Sequence, residues 1–412
     1  MNQLVQSKHF TTFIVSAAAL VCFGLLPKAQ AVSPPPDGCY PGFTTAEGCN
    51  ALNFLTTGAG NTGVGWYSLF LDTTGSFNTG VGGGALVLNN ADSNTAVGAA
   101  ALLLNTTGTE NVAVGTDALV FNDSGVDNTA VGAFALFNNV TGVDNTAIGR
   151  FALMNNDSNG SGFANDNTAV GSGALSANID GLENTAVGVG ALAANIDGGN
   201  NVAVGLNALA NNTSGASNVA LGHLAGFSQT FGSDNIYIGT QIEGTAGENN
   251  TCRIGSIFGQ TAAGGVAVFI DVNSKLGTLT SSKRFKEDIK PMGTASEALL
   301  ALKPVTFHYK KEIDPQGLPQ FGLVAEEVET VNRDLVVRDK EGKPYSVRYD
   351  QVNAMLLNEF LKEHRKVEEL KKNFESKLAE QQNQIMALTS TLEKVSARIE
   401  LSRPATELAD GH

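Results

Sequence analysis

Basic residues are almost absent from the larger part of this sequence. Between Ala31 and Cys252, Arg150 is the single basic residue, against 17 acidic ones. From Arg253 onward the two signs balance, with 23 residues of each. Nucleic acids and anionic lipids are bound through Lys and Arg, so the acidic part excludes both as its partners. The change of composition near residue 253 also predicts a domain boundary.

Long apolar runs are missing beyond the amino terminus, where no segment reaches the ~18 apolar residues of a membrane span. The one such run, Phe13 to Leu26, follows Lys8 and precedes the small-residue cleavage signal "AQA". This arrangement is typical of a secretory signal peptide over residues 1–31. An uncleaved anchor is the alternative, and the run is short for it. We expect a secreted protein, extracellular or at a cell surface, without membrane insertion.

Cysteine and histidine are scarce, with four and five residues. Cys22 would leave with the signal peptide. Cys39 and Cys49 enclose a short segment with Pro and Gly, and we predict that export allows them to form a local disulfide in a linker of residues 32–56. Cys252 is left over, either as a buried thiol or as an intermolecular bridge. No His and Cys cluster suggests a metal, and we expect no cofactor.

What the sequence has in abundance is a repeated phrase, most often "NTAVG". The glycines that close successive phrases lie mostly 17 residues apart, and one interval of 22 holds the insert "NDSNGSGFAND". These glycines are Gly65, Gly82, Gly98, Gly115, Gly132, Gly149, Gly171, Gly188, Gly205, Gly222 and Gly239, with Gly255 in a degenerate copy. A fixed period of this size predicts a solenoid of stacked coils.

Each repeat combines a short strand, an Ala-Leu pair and a corner asparagine, as in Ala118, Leu119 and Asn122. The strand is rich in small and β-branched residues, and the Ala-Leu pair is expected in one helical turn or a bend. Stacking should place Val on Val and Leu on Leu in a thin core, with asparagines in hydrogen-bonded ladders. The fold class is therefore mainly β, a parallel β-solenoid or β-roll over residues 57–255.

The repeated phrase resembles the "NSVAIG"-type head repeats of trimeric autotransporter adhesins. It is more similar still to the repeat arrays found ahead of tail-fibre chaperone domains. The resemblance covers about residues 57–255 and implies that three chains pack together. The Thr and Asn rows are interpreted as corner and ladder residues. A flat ligand-binding or ice-binding face is the alternative, but it would require a more regular Thr row.

Four ordered motifs follow the repeats: "SSKRFKEDIKPM", "ALKPVTFHYKK", "FGLVAEEVE" and "YDQVNAMLLNEFLKEHRKVEEL". Together they resemble the intramolecular chaperone domain of phage endosialidases and tail spikes, the peptidase S74 family. The resemblance spans roughly residues 280–375. It implies a small α+β domain that folds as a trimer, guides assembly of the β-rich part ahead of it and then cuts itself off. We place a connector strand within 256–279 and the chaperone core at 280–350.

The family pattern S-[DS]-x-R-x-K is matched by Ser281, Arg284 and Lys286, with Ser282 where many members carry Asp. The resemblance implies that Ser281 is the nucleophile and the first residue after the cut, with Lys286 as its base. A lysine can act as a base only if its pKa falls toward neutrality, which burial or nearby cations promote. The basic neighbours favour that. The alternative interpretation is an exposed basic turn.

The last predicted elements are a coiled coil over residues 351–402 and a disordered tail over residues 403–412. Beyond Phe374, apolar residues recur every seven positions in two interleaved rows. One row is Leu378, Ile385, Leu392 and Ile399, and the other is Phe374, Leu388 and Val395 with Gln381 between them. This heptad pattern fits three strands at least as well as two. A single helix lying on the protein's own body is the alternative.

We therefore predict a secreted, homotrimeric, fibre-like structural or adhesive protein with a C-terminal trimerisation chaperone that self-cleaves before Ser281. An adhesive role would require a surface glycan or another cell-surface partner. The alternative is a non-cleaving structural adhesin in which the C-terminal block is a permanent trimer clamp. A glycan-cleaving enzyme is disfavoured, because the repeats lack a recurring pair of carboxylates.

Overall fold

A computed structural model describes residues 42–402. The chain divides into two compact units, with the boundary after Thr261. The predicted signal peptide (1–31), the cysteine at position 39 of the predicted disulfide and the predicted disordered tail (403–412) lie outside the described residues. Cys49 is described and exposed.

The first unit is a parallel β-solenoid of about 12 turns, as the repeats predicted. Every strand has three residues, and each pairs with the next strand along the chain at the equivalent position, as Thr129 does with Thr146. The strands are β1 (Thr45–Glu47), β2 (Thr62–Val64), β3 (Thr79–Val81), β4 (Thr95–Val97), β5 (Val112–Val114), β6 (Thr129–Val131), β7 (Thr146–Ile148), β8 (Thr168–Val170), β9 (Thr185–Val187), β10 (Val202–Val204), β11 (Val219–Leu221), β12 (Ile236–Ile238) and β13 (Cys252–Ile254). Because β1 precedes residue 57, the solenoid begins within the segment predicted as a linker.

The core of the solenoid is built from alanine and leucine. Ala130, the middle residue of its strand, and Leu136 have no exposed surface. The predicted Leu stack is therefore confirmed. The prediction of a valine core is wrong, because the Val row stacks on the outer face, where Val131 is 36% exposed. Side chains alternate along a strand, so in a three-residue strand with its middle residue inward both flanking residues face outward.

The Ala-Leu pair lies in a turn, and the leucine has a left-handed backbone. The φ angles of Leu119 and Leu136 are 53° and 51°. Such a conformation costs roughly 1–2 kcal/mol for a residue with a side chain. Full burial of a leucine contributes roughly 1.5–3 kcal/mol. Burial therefore offsets the backbone strain.

Two ladders of buried asparagines run along the core. In the predicted ladder of corner residues, Asn122 Nδ2 donates to Asn105 Oδ1 over 2.7 Å, and Asn139 Nδ2 donates to Asn122 Oδ1 over 3.0 Å. A second ladder uses the asparagine that opens each phrase, with 3.1 Å from Asn128 Nδ2 to Asn111 Oδ1. Buried amides need partners inside the protein, and each coil supplies them to its neighbour.

The glycine that closes each strand is required by the adjacent coil. Gly115 has a φ of 143°, and a Cβ added to it would lie 2.5 Å from the carbonyl oxygen of Gly132. Neither the backbone angle nor the space admits a side chain. This is the physical reason why the phrase ends in glycine at every turn.

Tyr237 ends the core at the C-terminal side of the solenoid. It takes the inward position that alanine occupies in earlier strands and is fully buried. Its hydroxyl donates to Glu248 Oε1 over 2.7 Å, and the Thr245 N–H donates to the same oxygen over 2.8 Å. Arg253 pairs with the other carboxylate oxygen. Burial alone would raise the pKa of Glu248, but these hydrogen bonds outweigh it and lower that pKa.

Over residues 262–402, the second unit contains three antiparallel strand pairs, three short 3-10 segments and two helices. The pairs are β14 (Val268–Ile270) with β15 (Leu276–Thr278), β16 (Val305–Phe307) with β17 (Gln320–Gly322), and β18 (Val336–Arg338) with β19 (Pro344–Val347). The 3-10 segments are Lys283–Phe285, Ala295–Ala301 and Arg333–Leu335, and the helices are a short one, Ala325–Val331, and a long one, Tyr349–Leu401. A small core joins the two helices, the segment Arg333–Leu335 and the β18–β19 pair, and is made by Val328, Leu335, Val336, Val347, Val352 and Met355.

The long helix confirms the predicted helical segment and has 53 residues. Most of its heptad side chains are exposed, including Phe374 at 68% and Leu392 at 68%. Its pairing with other copies stays a prediction. Among the described residues, no helix is both long and apolar enough to cross a membrane.

Candidate functional site

The structure brings the two predicted catalytic side chains together. Lys286 Nζ donates a hydrogen bond to Ser281 Oγ over 3.2 Å. A spacing of five residues does not produce this contact by itself. The 3-10 segment Lys283–Phe285 between them turns the chain back, through a hydrogen bond from the Lys286 N–H to the Lys283 carbonyl. The arrangement is that of a hydroxyl nucleophile beside an amine that could accept its proton.

Arg284, the third residue of the motif, is turned toward its neighbour. Its guanidinium lies 4.6 Å from the centre of the Phe285 ring, in a cation–π contact. Ser282 has an extended backbone ahead of the 3-10 segment and makes no side-chain cap. Neither residue is hydrogen-bonded to the Ser281 hydroxyl, so among the described residues Lys286 is its one side-chain hydrogen-bond partner.

Both members of the dyad are exposed in the single chain. A lysine acts as a base only when apolar groups cover it or other cations lie near it. A single chain supplies the hydrogen bond between the two side chains but leaves both of them exposed to solvent.

A polar cluster around the buried Ser296 connects the long helix to the 3-10 segment Ala295–Ala301. The Ser296 side chain has no exposed surface, and its hydroxyl accepts from Asn358 Nδ2 over 2.6 Å and contacts the Glu359 carboxylate. Lys362 Nζ lies 2.8 Å from Glu359 Oε1. Its hydrogen bond, followed by that from Ser296, lowers the pKa of Glu359. The cluster holds this turn of the long helix against the 3-10 segment Ala295–Ala301.

Sequence reasoning did not find this cluster. Asn358, Glu359 and Lys362 share one helical face by their spacing, a signal that the sequence does contain. Nothing in the sequence pairs that face with Ser296, which lies more than 60 positions earlier. Such a contact emerges only from the tertiary fold.

Cys252 was predicted as a buried thiol or an intermolecular bridge. The structure places it in β13 with its side chain exposed, so the first interpretation is wrong. Among residues 42–402, no group of three or more His, Cys, Asp or Glu side chains is arranged to hold a metal ion.

Comparison with known proteins identifies the segment that carries the dyad. The model of the peptidase S74 family, described as chaperone of endosialidase, matches residues 281–337. The match begins at the dyad serine and runs through β16, β17 and the short helix into β18. The predicted resemblance is confirmed for this segment. No match was found among curated proteins or among solved structures.

Proposed function

We propose that the chain is a secreted, fibre-like protein of three copies, whose C-terminal unit is an intramolecular chaperone that cuts the chain between Thr280 and Ser281. The contact between Ser281 Oγ and Lys286 Nζ carries this proposal, because it opens the segment that matches the chaperone family. The solenoid ahead of it is the product that the chaperone assembles.

The exposed heptad rows of the long helix support three copies. A helix of this length with half-exposed Phe, Leu and Ile side chains every seven residues is stabilised when identical helices cover one another. Bringing three chains together at one end raises the effective concentration of the solenoid units. That favours long-range β pairing, which is otherwise slow to form.

The proposed cut proceeds in two steps. Ser281 Oγ attacks the carbonyl carbon of Thr280, so that the Oγ–C bond forms and the C–N bond breaks. Lys286 takes the hydroxyl proton and delivers it to the departing nitrogen, which becomes the free amine of Ser281. Water then hydrolyses the ester, which leaves a carboxylate on Thr280 and restores the serine hydroxyl.

Assembly is the proposed trigger of this reaction. The dyad is exposed in one chain, and neighbouring copies would provide the cover that favours a neutral lysine. Cleavage should therefore depend on the long helix. Removing residues 375–402, which carry the regular heptads, should abolish processing although the dyad stays intact.

A denaturing gel with mass spectrometry of the purified product tests the cut. The full chain should yield a fragment that begins at Ser281, and both Ser281→Ala and Lys286→Met should leave a single uncut band. The matched controls are Ser282→Ala and Lys283→Met, which change the same residue types next to the dyad and should still be processed. An uncut band from the unaltered chain would remove self-cleavage from the proposal.

The exposure of the dyad favours one alternative. If copies do not cover it, the serine stays inert and the C-terminal unit is a permanent clamp on the solenoid. In both cases the solenoid is a structural or adhesive part, and a surface glycan or cell-surface protein would be its partner. Binding of the purified protein to a glycan array tests adhesion, and a blank array would count against a glycan partner.

A further inference from the structure

The hairpin of β14 and β15 exposes apolar side chains on its own surface. Val268, Ile270 and Leu276 are 66%, 66% and 64% exposed. Cross-strand partners share a face, and Ile270 pairs with Leu276 while Val268 pairs with Thr278. One side of the hairpin is therefore an apolar patch of three large side chains. None of the three belongs to a hydrophobic core of the described chain.

A two-stranded hairpin of this size is marginally stable alone in water. Each of its strands has three residues, and a close turn joins them, in which Asp271 Oδ1 accepts the N–H groups of Asn273 and Lys275. The apolar patch therefore needs a covering surface. Contiguous exposed apolar groups of this kind mark an interaction site.

Charge and position indicate what covers the patch. The only charged residues between Ala262 and Ser282 are Asp271 and Lys275, which flank the turn next to the Ile270–Leu276 pair and lie outside the paired residues. In a symmetric assembly the same residues of each copy meet around the axis, so a strand surface without charge avoids repulsion between like charges. The hairpin thus suits contact with copies of itself.

The position of the hairpin relative to the proposed cut suggests what the hairpin does. Leu276–Thr278 ends two residues before Thr280, so the hairpin remains with the solenoid when the chain is cut. The chaperone domain and the long helix leave with the other fragment. A trimer held only by the long helix would then lose its clamp.

We propose that the hairpins of three copies pack together through Val268, Ile270 and Leu276, and that this contact holds the solenoid units together after the chaperone is removed. The inference rests on the proposed trimer and deepens it, because it assigns the lasting contact to a segment on the solenoid side of the cut.

A test that does not depend on self-cleavage uses the full chain with Ser281→Ala and a site for a sequence-specific protease inserted between Leu279 and Thr280. The chain is folded, its mass is measured by light scattering, and it is then cut. The solenoid fragment should keep the mass of three copies. With Val268→Thr, Ile270→Thr and Leu276→Thr together, it should fall about threefold after the cut, although the uncut chain still assembles.

The control chain carries Phe163→Thr and Ile196→Thr, which remove exposed apolar side chains from the solenoid unit, and its fragment should stay trimeric. A trimeric fragment from the threonine hairpin, or a monomeric fragment from the unaltered hairpin, overturns the inference and leaves the chaperone proposal standing. A monomeric uncut chain refutes the proposed trimer as well.

A second measurement covers the case in which the triple variant does not fold. Ile270→Cys should form disulfide-linked dimers between copies on mild oxidation of the full chain, with the native Cys22, Cys39, Cys49 and Cys252 replaced by serine. Phe163→Cys in the same background should not. Equal cross-linking at both positions, or none at position 270, would refute the contact.

Discussion

Asp72 gives the sharpest prediction about the stability of the solenoid. It lies at the corner position that asparagine occupies in the following coils, such as Asn89 and Asn105, and it is fully buried. Burial raises the pKa of its carboxyl from 3.8 to about 6. The hydrogen bonds from the Gly75 N–H at 2.8 Å and from Asn78 Nδ2 at 3.3 Å lower the pKa, but only in part. The nearby Asp92 carboxylate raises it further.

The sign of the pH dependence follows from this pKa. The folded state holds the Asp72 proton more tightly than the unfolded chain does. The contribution of this group to stability is therefore fully present below pH 4 and is lost as the pH rises through 6. Above that range, a difference of about two pKa units between the folded and unfolded states lowers the free energy of unfolding by about 3 kcal/mol. Asp72→Asn removes the ionisable group and extends the amide ladder. We expect it to stabilise the protein by up to about 3 kcal/mol at pH 7.5 and by far less at pH 4.

Urea unfolding followed by circular dichroism, at a fixed protein concentration and at several pH values, measures this difference. Asp127→Asn is the matched control, because Asp127 is an exposed carboxylate in the same repeat array. A stability gain that does not change between pH 4 and 8 would refute the reasoning. So would an equal gain in the Asp127→Asn control.

Three further changes test other parts of the structure. Gly115→Ala should destabilise the solenoid by about 3 kcal/mol or more, seen as a lower urea midpoint, because the φ angle and the neighbouring carbonyl exclude a Cβ. Tyr237→Phe should lower the free energy of unfolding by about 1–2 kcal/mol, seen in the same urea midpoint, since Glu248 loses a donor. Ser296→Ala should destabilise the second unit by about 1–3 kcal/mol and speed amide exchange in Asn358 and its neighbours, while the solenoid stays unchanged.

The repeat made the solenoid predictable, but it did not show which side chains of each strand face the core. Equal spacing of glycines is enough to predict stacked coils. Valine is the larger and more apolar residue of the strand, and it was therefore predicted inside. From β1 to β11 the inward position holds only alanine or glycine, and a Cβ on Gly63 would already lie 3.1 Å from Leu52. Packing space, rather than hydrophobicity, decides which face is buried.

The candidate site was predictable to a different extent. Local motifs identified Ser281 and Lys286, and the structure brings them within hydrogen-bond distance. Their solvent exposure agrees with the alternative interpretation of this segment as an exposed basic turn. The sequence left both interpretations open, because one sequence does not reveal how much cover a tertiary fold provides. The contact of Ser296 with the long helix and the patch around Ile270 were not predicted either. The first is a contact between segments that are distant in the sequence, and the second is a surface that the rest of the chain does not cover. Neither has a local sequence signal.

The residue-by-residue pairing of successive coils has a consequence for how this protein can change. Since each coil presents the same atoms to its neighbours above and below, one full period can be lost or duplicated without disturbing either end. Deleting residues 116–132 would join Gly115 to Ala133 and shorten the solenoid by roughly 4.8 Å. Genetic recombination between nearly identical repeats could thus adjust the reach of the protein in fixed increments, while its terminal parts remain as they are.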